Sequence, residues 1–483
     1  RFCGEFGVYL VMKKTKIIAT MGPACSDKNI LREMFLAGTN VCRLNFSHGN
    51  HKFHKETINT IRELNEETGL NVAILADLQG PKIRIGKMKN GGMELIEKSV
   101  VTITTDDMDG SDDEFSINYK RLPKDVHPGE KILLDDGKLE LEVIDSNGKD
   151  IIKAKVIHGG LLSSHKGVNL PNTKISMPCL TDKDKKDLDF ILNESIDWIA
   201  LSFVRSANDL IELKRIIESK QEKAKVIAKI EKPEAINAID DIIKESDALM
   251  VARGDLGVEI PYQNVPLIQK MLIKKAMIQA KPVIVATQMM ESMIVSSTPT
   301  RAEVNDAANA VLDGADALML SAETSVGNYP VEVIQTMTNV VNEMESFDGI
   351  YNKEEPPEKN RDSFITDSIC FNACRLSRRV SANAILTMSF SGYTAYKIAS
   401  LRPNTDIFVF TSNKKILTQL SLIWGVKGYY YDKTVSTDHT IADIKFLLKE
   451  NGQLNTGDLV INIASMPIEE HGNSNMLKLS FVD

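Results

Sequence analysis

Polar side chains recur at the ends of short apolar runs in this chain. Arg43, Asn45 and Ser47 leave one run at every second position, and Asp77 closes the next. Lys229 and Glu231 end a third, Arg253-Gly254-Asp255 follow a fourth, and Thr287 and Ser321 close two more. Residues two apart on an extended chain point the same way. Two carboxylates that leave coordination positions open, Glu231 and Asp255, suit Mg²⁺, which keeps water and takes substrate oxygens. Arg43, Arg84, Lys166 and Lys229 supply cations around them. A hard metal inside a cationic clamp is the equipment of phosphoryl transfer, where positioning and charge neutralisation do most of the work. Gly254 has no side chain, so a substrate carboxylate could reach the backbone N–H groups near Asp255 at a helix start. Singly, each has a plainer reading: Lys229 and Glu231 an ion pair, Arg253 and Asp255 a helix cap, Asp77 a turn residue, His48 a cap. Their shared location at one end of one structure is what carries the chemical reading.

That location follows from the elements. Strand-like runs at Lys16–Thr20, Asn40–Asn45, Val72–Asp77, Asp197–Ser202, Lys225–Glu231, Ala248–Ala252, Pro282–Thr287 and Ala317–Ser321 alternate with amphipathic helical stretches. Ser26-Asp27, Thr181-Asp182 and Pro233-Glu234 are helix starters. Strands this apolar are covered on both faces, and eight βα units predict a closed (β/α)8 barrel whose site lies at the strand C-termini. The gap between the third strand and its helix is too long for a loop. Its Asn90-Gly91, Asp136-Gly137 and Asn147-Gly148 turns between alternating runs predict a small β domain inserted as a lid. A polar linker with two prolines then leads to a second α/β region, with helix 363–379, strands Ala384–Ser389 and Ile407–Thr411, and an edge strand from Met476. The division read here is an N-terminal extension 1–12, a barrel of 13–83 and 167–350, a lid 84–166 and a C-terminal α/β domain 351–483. Met12 reads as the natural start.

The composition is 43% hydrophobic and 26% charged with net charge -8, which gives no support for nucleic-acid binding. No apolar run approaches the ~18 residues of a membrane span. Six cysteines in 483 residues form no disulfide framework, so a reducing, cytoplasmic setting is expected. Neither a Walker loop nor a dinucleotide glycine fingerprint occurs.

The segments TKIIATMGPAC, CRLNFSHG, KGVNLP, AKIEK, MVARGDLGVEI, VATQMMESM, PTRAEVNDAANAVLDGADALMLSAET and NSNMLKLSFV, in this order, resemble the pyruvate kinase family from about residue 13 to the end. The resemblance implies the same barrel, lid and C-terminal domain. It implies transfer of the phosphoryl group of phosphoenolpyruvate to ADP, giving ATP and pyruvate in the last step of glycolysis, by a homotetramer. It also implies roles. Arg43 and Lys229 meet the moving phosphoryl group, and Glu231 and Asp255 hold Mg²⁺ or Mn²⁺. Gly254, Asp255 and Thr287 bind the substrate carboxylate, and Thr287 and Ser321 flank the water that protonates the enolate. Arg84 and Lys166, with Asn45 and His48 beside them, face the nucleotide. Asn45, Ser47, Asp77 and the carbonyl of Leu78 match a K⁺ pocket. Here, however, the stretch reads ADLQGPKIRIG, a Leu-Gln-Lys pattern like that of a branch that works without K⁺, with the Lys82 ammonium in the ion's place. In the C-terminal domain Ser389, Ser391, Gly392 and Thr394 match a phosphorylated-effector loop, although Phe390 and Tyr393 stand where some members carry cations. Two other readings stay open: another Mg²⁺ barrel acting on a pyruvate enolate, such as an aldolase or mutase, and a non-catalytic binding protein on the same scaffold.

Overall fold

The structure is a computed structural model that describes residues 13–111, 113–353, 356–433, 435–466 and 473–483. The expected N-terminal extension with Met12, and Glu354 and Glu355 of the linker, lie outside the described residues. Strands β1 (Lys16–Thr20), β2 (Val41–Asn45), β3 (Ala73–Asp77), β4 (Trp198–Leu201), β5 (Lys225–Ile230), β6 (Ala248–Ala252), β7 (Val283–Ala286) and β8 (Ala317–Leu320) close into one parallel barrel. The alternation of side chains along a strand divides them cleanly. Ile18, Val41, Ala73, Leu75, Trp198, Ala200, Ile227 and Met250 share one buried cluster, the barrel interior. Ile17, Cys42, Leu44, Ile74, Ile199, Val226, Leu249 and Val285 share another with the surrounding helices.

The helix starters act as expected. The Asp27 carboxylate accepts from the Asn29 N–H at 2.8 Å at the head of Lys28–Ala37. Thr181 and Asp184 form a reciprocal capping box for Asp182–Asn193. The helix after β5 differs from expectation. It breaks into Pro233–Asn237 and Ile239–Glu245, because Ala238 has left the helical region (φ -101°, ψ 17°).

Between β3 and β4 stands a six-stranded sheet built from Val100–Thr104, Glu114–Ser116, Lys131–Leu134, Leu139–Ser146, Ile151–His158 and Val168–Asn169, the last of which carries the lid past the expected boundary at residue 166. It has its own apolar core, with Ile103, Phe115, Ile132, Leu141 and Val156 fully covered. The outgoing and returning chains meet side by side, where Arg84 pairs antiparallel with Gly167. The C-terminal region is a five-stranded sheet, parallel except for its last strand, Met476–Phe481. It packs on the opposite end of the barrel from the lid. There Thr418 donates to the Asp197 carboxylate at 2.6 Å, and Arg402 pairs with Asp316 at 3.0 Å. Asp197 and Asp316 stand just before β4 and β8, so the strand C-termini stay free for chemistry. Among the described residues no helix is long and apolar enough to cross a membrane.

Candidate active site

One step beyond the apolar interior the same inward series turns polar. Val41 leads to Arg43, Leu75 to Asp77, Ala200 to Ser202 and Ile227 to Lys229. The β2–β3 register sets Asn45 opposite Asp77, which brings the polar ends to one level. At that level a compact ionic cluster forms. The Arg43 Nε donates to Asp77 Oδ2 at 2.7 Å, and its Nη1 donates to the Thr20 hydroxyl at 3.0 Å. The Lys229 ammonium reaches Asp77 Oδ1 at 3.2 Å, Glu231 Oε1 at 2.9 Å and the Ser202 hydroxyl at 2.7 Å. Glu231 Oε2 accepts from the Phe203 N–H at 2.8 Å.

Asp77 and Glu231 are both buried, so their charges survive only through these partners. Burial pushes the Asp77 carboxyl up, but Lys229 and Arg43 together hold it below the usual carboxylate range. Burial pulls the Lys229 ammonium down, yet Asp77 and Glu231 outweigh it and raise its affinity for the proton. Glu231 is raised, by burial and then by the nearby Asp255 charge, against the pull of Lys229. A carboxylate whose proton affinity is raised by a second carboxylate nearby marks a place for a further cation.

Across the barrel mouth, the Thr287 hydroxyl accepts from the Gly254 N–H at 2.8 Å and donates to the Ala286 carbonyl at 2.6 Å. A Cβ at position 254 would stand 3.3 Å from the Thr287 Oγ1, which explains the glycine. Thr287 (φ 69°) and Gln288 (φ 55°) are successive left-handed residues. For a β-branched residue this is strained backbone, held here by Arg253, whose Nη2 donates to the Thr287 carbonyl at 2.8 Å. Ser321 ends β8 with its N–H on Glu323 Oε2 at 2.6 Å.

Asn45 closes a turn by accepting from the Ser47 N–H at 3.1 Å. His48 follows, pushed down by burial and by the charges of Arg84, Lys82, Arg43 and Lys183. The four cations that act on this imidazole make the rim electropositive, suited to a polyanion. The two lid hinges carry the expected cations: Arg84 Nη1 donates to the His165 carbonyl at 3.0 Å, and Lys166 pairs with Asp135 at 2.8 Å.

One expectation fails. Among the described residues Asp77 is ion-paired with Arg43 and Lys229 and not with Lys82. Gly80 turns the chain with φ +68°, and the Lys82 N–H folds back onto the Gly80 carbonyl at 2.8 Å. Lys82 instead lines the cleft between lid and barrel, together with Asp136, Phe203, Arg205 and Asp255. The carbonyl of Leu78 is likewise taken, by the Ser202 hydroxyl at 2.7 Å.

Two family models match the chain: "Pyruvate kinase, barrel domain" over residues 12–334 and "Pyruvate kinase, alpha/beta domain" over residues 367–480. The chain belongs to the pyruvate kinase family. A pyruvate kinase of Corynebacterium glutamicum is 42% identical over 465 residues, covering 96% of this chain and 97% of that one. One of Geobacillus stearothermophilus is 42% identical over 475 residues, covering 97% of this chain and 80% of that longer one. Among solved structures, a pyruvate kinase from Cryptosporidium parvum superposes with a TM-score of 0.91 at 35% identity, covering 98% of this chain and 96% of that one. The activity is therefore that of a pyruvate kinase, a phosphotransferase.

Seen as a pyruvate kinase, the chain also uses residues that its sequence did not single out. Ser202 and Phe203 hold Lys229 and Glu231. Glu259 joins Lys232 of the barrel, at 2.6 Å, to Asn169 of the lid, at 2.9 Å. Ser202 was findable: it stands in the same inward series as Asp77 and Lys229. Far from this site, the loop at Ser389–Thr394 borders a cavity of about 220 Å³ that Thr411, Ser412 and Lys433 also line. Within it Ser389 Oγ accepts from the Gly392 N–H at 3.0 Å, and Gly392 takes φ +85°.

Proposed function

We propose that this pyruvate kinase carries phosphoryl transfer from phosphoenolpyruvate to ADP on the cluster of Arg43, Asp77, Lys229 and Glu231. The observation that supports it most is the largely enclosed Lys229 ammonium, ion-paired with Asp77 at 3.2 Å and Glu231 at 2.9 Å and donating to the Ser202 hydroxyl at 2.7 Å. A cation held that firmly needs no reorganisation when charge develops on a transferring group. Arg43 is fixed by Asp77 and Thr20, so its remaining guanidinium N–H groups can face the phosphoryl oxygens. Lys229 neutralises that group and then the enolate left behind. The N–H groups of Gly254 and Asp255 and the Thr287 hydroxyl receive the substrate carboxylate, which displaces the Thr287–Gly254 hydrogen bond. The enolate is protonated at carbon beside Thr287 and Ser321. Arg84, Lys166, Asn45 and His48 form the rim on which the ADP phosphates rest.

Glu231 and Asp255 would hold Mg²⁺ or Mn²⁺. Two carboxylates leave most of the coordination shell to water and substrate oxygens, as Mg²⁺ prefers. When bound, the ion supplies charge neutralisation and a template for the substrate oxygens. K⁺ is not required in this reading. Both Asp77 oxygens are engaged by Arg43 and Lys229, and the Leu78 carbonyl by Ser202, without help from Lys82. The cavity lined by Ser389, Ser391 and Thr394, with Gly392 in the same loop, takes a phosphorylated effector, with Lys433, here paired to Asp443 at 2.7 Å, as its cation. Exposed apolar side chains support a homotetramer: Tyr262 and Leu267 on the barrel and Phe481 on the free edge strand.

The test is Lys229→Met in a coupled assay for pyruvate with ADP, phosphoenolpyruvate and Mg²⁺. Turnover falls by on the order of 10² or more while circular dichroism is unchanged. Retention of more than about a tenth of wild-type turnover sinks the central role of Lys229.

A further inference from the structure

We infer that Ser202 is a positioning residue that fixes the Lys229 ammonium for phosphoryl transfer, an inference that rests on the role given to Lys229 above. Ser202 is 2% exposed. Its hydroxyl has one proton, for which the Leu78 carbonyl at 2.7 Å is the near acceptor and Asp77 Oδ1 at 3.5 Å the distant one. Both can only accept and an ammonium can only donate, so the hydroxyl's lone pairs receive Lys229 at 2.7 Å. The ammonium thus stands on a tripod of two carboxylates and one neutral oxygen. Two opposite charges alone would draw Nζ along the line between Asp77 and Glu231. The Ser202 oxygen adds the third contact that fixes it off that line.

The segment that presents this oxygen is itself immobilised. Phe203 has φ 57°, and its N–H is spent on Glu231 Oε2 at 2.8 Å. The Cys179 thiol donates to the Ser202 carbonyl at 3.1 Å. Gly80 packs against the pair so closely that a Cβ there would stand 2.8 Å from the Phe203 ring and 3.0 Å from the Ser202 Cβ. One dipeptide therefore holds both members of the Lys229–Glu231 pair, the first by a hydroxyl and the second by a backbone N–H. A shift of about 1 Å in a reacting group costs up to roughly 10² in rate, so loss of the third contact should appear in kcat rather than in nucleotide affinity.

The experiment is Ser202→Ala, alone and combined with Lys229→Met. Expected are a kcat about 10- to 100-fold below wild type, a KM for ADP within about twofold, and no further loss when Ser202→Ala is added to Lys229→Met, as for residues acting as a unit. Thermal melting confirms that each variant is folded. If Ser202→Ala does not fold, Ser202→Cys, somewhat larger than serine and only a weak donor and acceptor, takes its place with the same expectations. More than half of wild-type kcat in the folded single variant overturns the inference, as does an equal fold-loss on the Lys229→Met background. An active Lys229→Met enzyme would instead refute the role of Lys229 itself, so the two failures are distinguishable.

Discussion

Replacing Asp77 by Asn removes one charge from a buried cluster that is otherwise balanced, two cations against two carboxylates. Asp77 is 1% exposed and sits 2.7 Å from Arg43 and 3.2 Å from Lys229. At an effective dielectric of about 20 those contacts are worth about 6 and about 5 kcal/mol before desolvation. Asparagine keeps one acceptor, but it turns an NH₂ donor toward a cation, so at least one of the two contacts becomes repulsive. Breaking a buried pair from one side typically costs about 3–5 kcal/mol, and that is the loss of stability expected here. The chain offers a clean reporter. Its two tryptophans are divided, Trp198 on β4 of the barrel and Trp424 in the C-terminal domain. In a Trp424→Phe background, fluorescence in urea follows the barrel alone. With a slope of about 3–4 kcal/mol/M the midpoint should drop by roughly 1 M. Activity should fall with it, because Arg43 and Lys229 both lose their anchor. A shift equivalent to less than about 1 kcal/mol, with more than a tenth of turnover kept, would falsify the view that Asp77 clamps the two cations.

Two further outcomes follow from the same structure. In a K⁺-free tetramethylammonium buffer with Mg²⁺ the wild-type enzyme should work at near-full rate; an activation of more than about tenfold by millimolar K⁺ would show that an ion displaces Arg43 or Lys229 from Asp77. At the other end of the barrel, Lys13 is pushed down to about 7 and Lys16 to about 8, mainly by burial. Their unfolded forms hold the proton up to about 10.5, so between these values the unfolded state binds more protons and stability rises with pH. That contribution is complete above the unfolded value and disappears as pH falls to about 7. Melting temperature should therefore climb between about pH 7 and 9, and Lys13→Met should flatten the climb; an unchanged slope in the variant excludes Lys13 as its source.

The barrel could be read from the sequence because its strands are short apolar runs with polar ends, and a strand's two-residue period carries the interior residues directly into the site. Val41 to Arg43 and Ile227 to Lys229 show this. What escaped was set by turns, where spacing says nothing about direction. Lys82 lies two residues past Gly80, a left-handed glycine that turns the chain, and it lines the lid cleft while Asp77 pairs with Arg43 and Lys229. The break at Ala238 has no proline or glycine to announce it. Glu259 gave no sign either, since its partners Lys232 and Asn169 come from two parts of the fold that meet only in three dimensions.

The pairing of Arg84 with Gly167 bears on how the chain assembles. β3 must find β4 across an insertion of roughly 80 residues, and closing a loop of that length costs about 2.5 kcal/mol more than closing one of five. The inserted sheet removes most of that difference by folding around its own core of Ile103, Phe115 and Leu141, which brings its two ends together. The barrel then sees a short connection in place of a long one. Such an order of events makes the insertion a unit that can be exchanged: replaced by a brief turn between residues 84 and 167, it should leave a barrel that still closes, slower to act on its substrate but no slower to fold.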